Sequence, residues 1–147
     1  MRREVQVVIG DVEETFDGGI HLLAEWYQCQ GAPELLKSAE RLRACCLAAV
    51  DHAALTVVGE SFYQFASNGV TGTVLLAESH LAIHTWPEFG SVTVDVFVCN
   101  RTRDNRAKAH TLYLELRDAL EPRKENFSQV VRGAVVAPAA VAAGGMH

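Results

Sequence analysis

Residues 78–88 read Glu-Ser-His-Leu-Ala-Ile-His-Thr-Trp-Pro-Glu, and Cys99 follows at the end of the next strand-like run. The Ser79 hydroxyl, two imidazoles, an indole, three carboxylates and a thiol therefore fall within residues 78–99. A serine hydroxyl can attack the carbonyl of the residue before it and turn that peptide bond into an ester. Elimination of the ester leaves a keto group at a new N-terminus, so the Glu78–Ser79 bond is a place where the chain can make its own electrophile. His84 lies five residues on and is expected to stay near Ser79. An imidazole titrating near neutrality suits removal of the Cα proton that elimination requires, with His80 as the competitor. Cys99 can return a proton to carbon from a desolvated pocket, or serve as a small buried apolar residue, the role expected of Cys29, Cys45 and Cys46. Phe65 and Trp86 can sandwich a flat heterocycle, and Glu88 can accept hydrogen bonds from the paired hydroxyls of a ribose. The alternative for both aromatics is a place in the core.

These groups need elements to carry them. A strand is expected from Ile20 to near Cys29, then a helix opened by Gly31-Ala32-Pro33-Glu34 and running to about His52, with Leu35, Leu36, Ala39, Leu42, Cys46, Ala49 and Val50 at helical spacing. Four strand-like runs follow, Ala54–Phe62, Val70–Glu78, His80–Trp86 and Ser91–Val98, with turn signals at Ser67-Asn68-Gly69 and Pro87–Gly90. No Gly, Pro or Asn stands between the second and third of these, which points to a strained junction at Glu78-Ser79. A second helix is expected over Asp104–Leu120 and a last strand over Phe127–Val131. An edge strand at Val5–Ile9 precedes them all, and the alanine-rich stretch from Ala134 to Ala143, broken by Pro138, reads as a loose tail. Successive strands pair antiparallel and two helices can cover one face. The fold class is α+β: a two-layer α/β sandwich with an antiparallel sheet and helices on one face, in a single domain over 1–147.

Composition narrows the partners. The chain has 147 residues, 49% hydrophobic and 21% charged, with a net charge of −5. That balance, with no cluster of Lys or Arg, argues against nucleic acid or an anionic membrane. No run approaches the apolar length of a membrane span, and Met1-Arg2-Arg3-Glu4 does not begin a signal peptide. Four cysteines without C-x-x-C spacing fit a reduced cytoplasmic protein better than a disulfide framework or a zinc site, and no metal is expected.

The run from Glu78 to Glu88, with Asp95 and Cys99 downstream, His21-Leu22-Leu23-Ala24-Glu25 and Gly69-Val70-Thr71-Gly72 upstream, resembles the bacterial short-chain S-adenosylmethionine decarboxylases over roughly residues 19–121. The resemblance implies self-cleavage between Glu78 and Ser79, giving a β chain of 1–78 and an α chain of 79–147 whose Ser79 becomes a pyruvoyl group. It implies that His84 acts in processing with Thr71 in support, and that Cys99 is the proton donor in turnover. Phe65 and Trp86 would flank the adenine and Glu88 would hold the ribose. The substrate amine would form a Schiff base with the keto carbon, and loss of carbon dioxide would yield decarboxylated S-adenosylmethionine, the aminopropyl donor for spermidine. The implied assembly is a homodimer of cleaved protomers. Tyr63 and Ser67 stand where the family usually has His and Pro, Thr71 where it has Ser, and Ala77 where Ser is frequent. Relatives on this fold act on ornithine or arginine, and an uncleaved, non-catalytic paralogue is the reading from outside enzymology.

Overall fold

A computed structural model describes residues 15–16, 18–100, 103–133 and 135–136. Six strands form one sheet: β2 (Gly19–Tyr27), β3 (Val57–Gln64), β4 (Val70–Leu76), β5 (Ser79–Trp86), β6 (Ser91–Cys99) and β7 (Lys124–Val131). Their order across the sheet is β3-β4-β5-β6-β2-β7, and every pairing is antiparallel. Two short strands, β1 (Thr15–Phe16) and β8 (Val135–Val136), pair with each other in a separate ribbon.

Strict alternation decides which face of the sheet is covered. In β6, Val92, Val94, Val96 and Val98 are buried while Ser91, Thr93, Asp95, Phe97 and Cys99 are only half-buried. The buried set continues through Leu22, Ala24 and Trp26 of β2, Val74 and Leu76 of β4, and Leu81 and Ile83 of β5. Against it lie α1 (Glu34–Lys37), α2 (Ala39–His52) and α3 (Arg106–Leu120). Helix α2 turns Leu42, Cys46, Ala49 and Val50 inward, and α3 turns in Ala109, Leu112, Tyr113, Leu116 and Leu120, the spacing of one helical face. The sandwich with helices on one face is therefore the observed fold.

Details differ from the expectations. The helix expected from Gly31 to His52 is broken at Ser38, whose extended backbone (φ −115°, ψ 117°) ends α1 and whose Oγ accepts the Arg41 amide at 3.1 Å to start α2. Strand β3 begins at Val57 rather than Ala54 and runs to Gln64, because Ala54 takes a left-handed φ of 60° after the helix. Strand β4 ends at Leu76, two residues short of Glu78, and β7 begins at Lys124 rather than Phe127. Val135 and Val136, expected in a loose tail, form β8. The strand expected at Val5–Ile9 and the tail beyond Val136 lie outside the described residues.

Candidate functional site

Two clusters of chemistry-bearing residues lie at opposite ends of β5. The first is built on the hairpin between β4 and β5. Leu76 pairs with Ser79, so Ala77 and Glu78 form a two-residue loop, and Glu78 has φ +62°. A side chain in the left-handed region costs roughly 1–2 kcal/mol, which is why glycine or asparagine usually fills such a position. The strain expected at this junction is thus located on the residue that carries the Glu78–Ser79 carbonyl. The Ser79 hydroxyl accepts the Cys99 amide at 3.3 Å, which brings the ends of β5 and β6 together. Cys99 is half-buried and unpaired, as are Cys29 and Cys45, while Cys46 is fully buried. Burial pushes the Cys29 thiol up to about 11 and raises Cys45 and Cys46 as well, so these three are protonated, inert thiols at neutral pH.

Beside this cluster, on the sheet face away from the helices, His21 and His80 approach edge to face with ring centroids 6.0 Å apart, and Phe97 lies between their strands. Arg132 donates to His21 Nδ1 at 2.8 Å. A guanidinium only donates, so Nδ1 is the bare nitrogen and Nε2 carries the proton. Burial lowers the His21 pKa, Arg132 and His80 lower it further, and Asp95 opposes them. Two buried nitrogens at this end of the sheet, His21 Nε2 and Asn100 Nδ2, have no partner among the described residues.

The second cluster lines a cleft of about 280 Å³ formed by the loop between β3 and β4, strand β5 and the turn after it. Phe65, Thr71, His84, Trp86 and Glu88 contribute its side chains. Thr71 and His84 are register partners, and the hydroxyl and Nδ1 share a hydrogen bond at 3.0 Å whose direction follows the imidazole tautomer. The His84 and Trp86 rings are tilted at 34°, with centroids 6.2 Å apart. Phe65, against which the Tyr63 ring packs edge to face at 4.8 Å, is 44% exposed and Trp86 41%, which takes both aromatics out of the core. Pro87–Phe89 form a 3-10 turn that ends on Gly90 at φ +62° and carries Glu88 to the mouth of the cleft.

The supports of this cleft were not legible as functional residues. Gln64 donates from Nε2 to Lys37 O at 2.8 Å and Gly69 O at 3.2 Å, and its Oε1 accepts the Ala39 amide at 2.7 Å. It therefore ties the loop bearing Phe65 to the helix break at Ser38. Thr85, buried at 5% exposure, donates to Leu36 O at 2.7 Å and accepts the Val70 amide at 2.9 Å. Neither its residue type nor its spacing marked it in the sequence.

One expectation fails. His84 does not lie near Ser79, because β5 is extended and five residues of strand span about 16 Å. The odd spacing also sends the two side chains to opposite faces at their own ends of the strand. The structure unites Ser79 with Cys99, and His84 with Thr71, Phe65, Trp86 and Glu88, but it does not unite the two groups within one chain.

Comparison with known proteins gives a consistent result. The family model described as S-adenosylmethionine decarboxylase matches residues 20–133. The S-adenosylmethionine decarboxylase proenzyme of Thermoplasma acidophilum is 37% identical over 118 residues, covering 80% of this chain and 86% of that one. The proenzyme of the same name from Archaeoglobus fulgidus is 46% identical over 97 residues, 66% of this chain and 84% of that one. The crystal structure of the adenosylmethionine decarboxylase from Aquifex aeolicus matches with a TM-score of 0.73 and 34% identity, covering 83% of this chain and 95% of that chain.

Proposed function

The chain belongs to the S-adenosylmethionine decarboxylase family, and from that membership we propose that it works through a pyruvoyl group made from its own Ser79. The reaction removes the carboxyl group of S-adenosylmethionine as carbon dioxide and leaves decarboxylated S-adenosylmethionine, an aminopropyl donor for spermidine synthesis. The observation that carries the proposal is the left-handed Glu78 beside a Ser79 hydroxyl held by the Cys99 amide.

Self-cleavage uses only groups of the chain and one water. Ser79 Oγ attacks the Glu78 carbonyl, the C–N bond breaks, and the chain continues through an ester. Removal of the Ser79 Cα proton expels the Glu78 carboxylate, and water then releases the new N-terminal nitrogen as ammonia. The β chain 1–78 keeps a carboxylate, and the α chain 79–147 begins with the keto group. That group supplies an electrophile for the substrate amine and a sink for the electrons left by departing carbon dioxide. Its surroundings suit it: the hairpin exposes the junction, and Cys99, whose backbone amide donates to Ser79 Oγ, would return the proton to Cα. Phe65 and Trp86 would hold the adenine between their faces, and Glu88 would accept the ribose hydroxyls. A carboxylate–hydroxyl pair of this kind contributes about 1.5–3 kcal/mol. These three around one cleft favour a nucleoside substrate over ornithine or arginine.

The distance along β5 bears on assembly. Processing by His84, with Thr71 orienting its ring, needs His84 near Ser79, and one chain keeps them about 16 Å apart. A homodimer in which one copy's cleft meets the other copy's Ser79 and Cys99 satisfies both. Four unpaired thiols suit the reducing cytoplasm. The test is co-expression of Ser79→Ala chains with His84→Ala chains. Neither should be cleaved alone. Together, the Ser79→Ala copy should lend its His84 and cleave about half of the His84→Ala chains under random pairing. His84→Ala chains that stay whole in the mixture contradict the shared site, and cleavage of Ser79→Ala contradicts the pyruvoyl reading.

A further inference from the structure

Asn105 stands at the N-cap of α3, yet its side chain makes no cap hydrogen bond. Asparagine is favoured there because its oxygen accepts an amide of the first turn. Here the side chain is committed elsewhere: Nδ2 donates to the Cys99 carbonyl at 2.7 Å. The Asn105 backbone amide donates to Asn100 Oδ1 at 2.8 Å, and the Asn100 amide donates to the Gly18 carbonyl at 3.0 Å. A backbone N–H can only donate, so the Asn100 oxygen must face it and the orientation of that carboxamide is fixed. Asn105 is buried at 8% exposure, which keeps water from competing for these bonds. Cys99 is thus held at both ends of its own backbone, its carbonyl by Asn105 and its amide on Ser79 Oγ.

We propose that Asn105 is a positioning residue for both reactions of this site. By fixing the Cys99 carbonyl it keeps the Cys99 amide on the Ser79 hydroxyl during cleavage. It also holds in place the backbone that carries the thiol, next to the residue whose place the keto group takes during turnover. The proposal rests on the roles given above to Ser79 and Cys99. Its consequence is that stability and function part company at residue 105. A serine there can cap α3 but is too short to hold Cys99.

The experiment compares Asn105→Ser with the wild type, alone and combined with Cys99→Ala, in thermal melting, cleavage and steady-state turnover of S-adenosylmethionine. The expected result is a Tm no lower than wild type and cleavage slowed about tenfold, with kcat reduced about tenfold and KM within about twofold. Added to Cys99→Ala, the substitution should cost no further turnover, because it acts through the missing thiol. Asn105→Asp, which keeps the size and the capping oxygen but lacks the NH2 donor, should show the same losses and guards against a folding defect in the serine variant. Wild-type rates in both variants overturn the proposal, as do losses that track a lowered Tm, or a loss of turnover per cleaved chain that adds to that of Cys99→Ala. A wild-type chain that stays whole in the same assay refutes the reading of Ser79 itself, whatever Asn105 does.

Discussion

At Glu78 the backbone is held in a conformation that suits a different residue. With φ at +62° and a Cβ to accommodate, the chain carries strain beside the Glu78–Ser79 bond, which the proposed cleavage would release. Glu78→Gly should remove about 1 kcal/mol of that strain and slow cleavage about fivefold, while Glu78→Gln, which keeps the Cβ, should cleave at the wild-type rate. A time course of intact mass measures both. Equal rates for the glycine variant and the wild type mean that strain does not assist the attack. The sequence carried a signal for this strain, since a junction with no turn residue stood between two strand-like runs. It carried none for Gln64, Thr85 or Asn105, whose importance comes from partners 5–49 residues away and not from their own types.

Among the elements, strands β5 and β6 decide what can meet. Alternation in Ser91–Cys99 was plain in the sequence, so the covered face of the sheet was legible, whereas the reach of His84 was misjudged as a separation in sequence when the strand made it a length. The helix break at Ser38 was hidden for the opposite reason, because apolar residues keep helical spacing on both sides of it. The open face joins β2, β5 and β6 through His21, His80 and Phe97, with Arg132 closing the row from the end of β7. His21 is held neutral there, its pKa below the ordinary 6.5 chiefly through burial. The unfolded chain takes up a proton at the ordinary value, and the folded chain only at a lower pH. This contribution to stability is therefore complete above about pH 6.5 and lost as the pH falls below it. Urea denaturation at pH 7.5 and 5.5 should show wild type losing stability on acidification and His21→Gln losing less. An identical loss in both would remove His21 from the effect.

For the whole molecule, the fold leaves room for the proposed self-cleavage in a chain of ordinary composition. The helices close one face of the sheet over residues of both β4 and β5, and the exposed loop of the hairpin between them, Ala77 and Glu78, stands outside that core. That hairpin can then break without dismantling the core: β4 and β5 remain paired to their neighbours on both sides of the cut. The central claim is that this break occurs and leaves a keto group, and the mass of the purified protein under denaturing conditions tests it most directly. The account requires two chains, 1–78 and 79–147, with the second lighter than its sequence by one ammonia. A single chain of 16.0 kDa, or two chains whose masses show serine retained at residue 79, would contradict it.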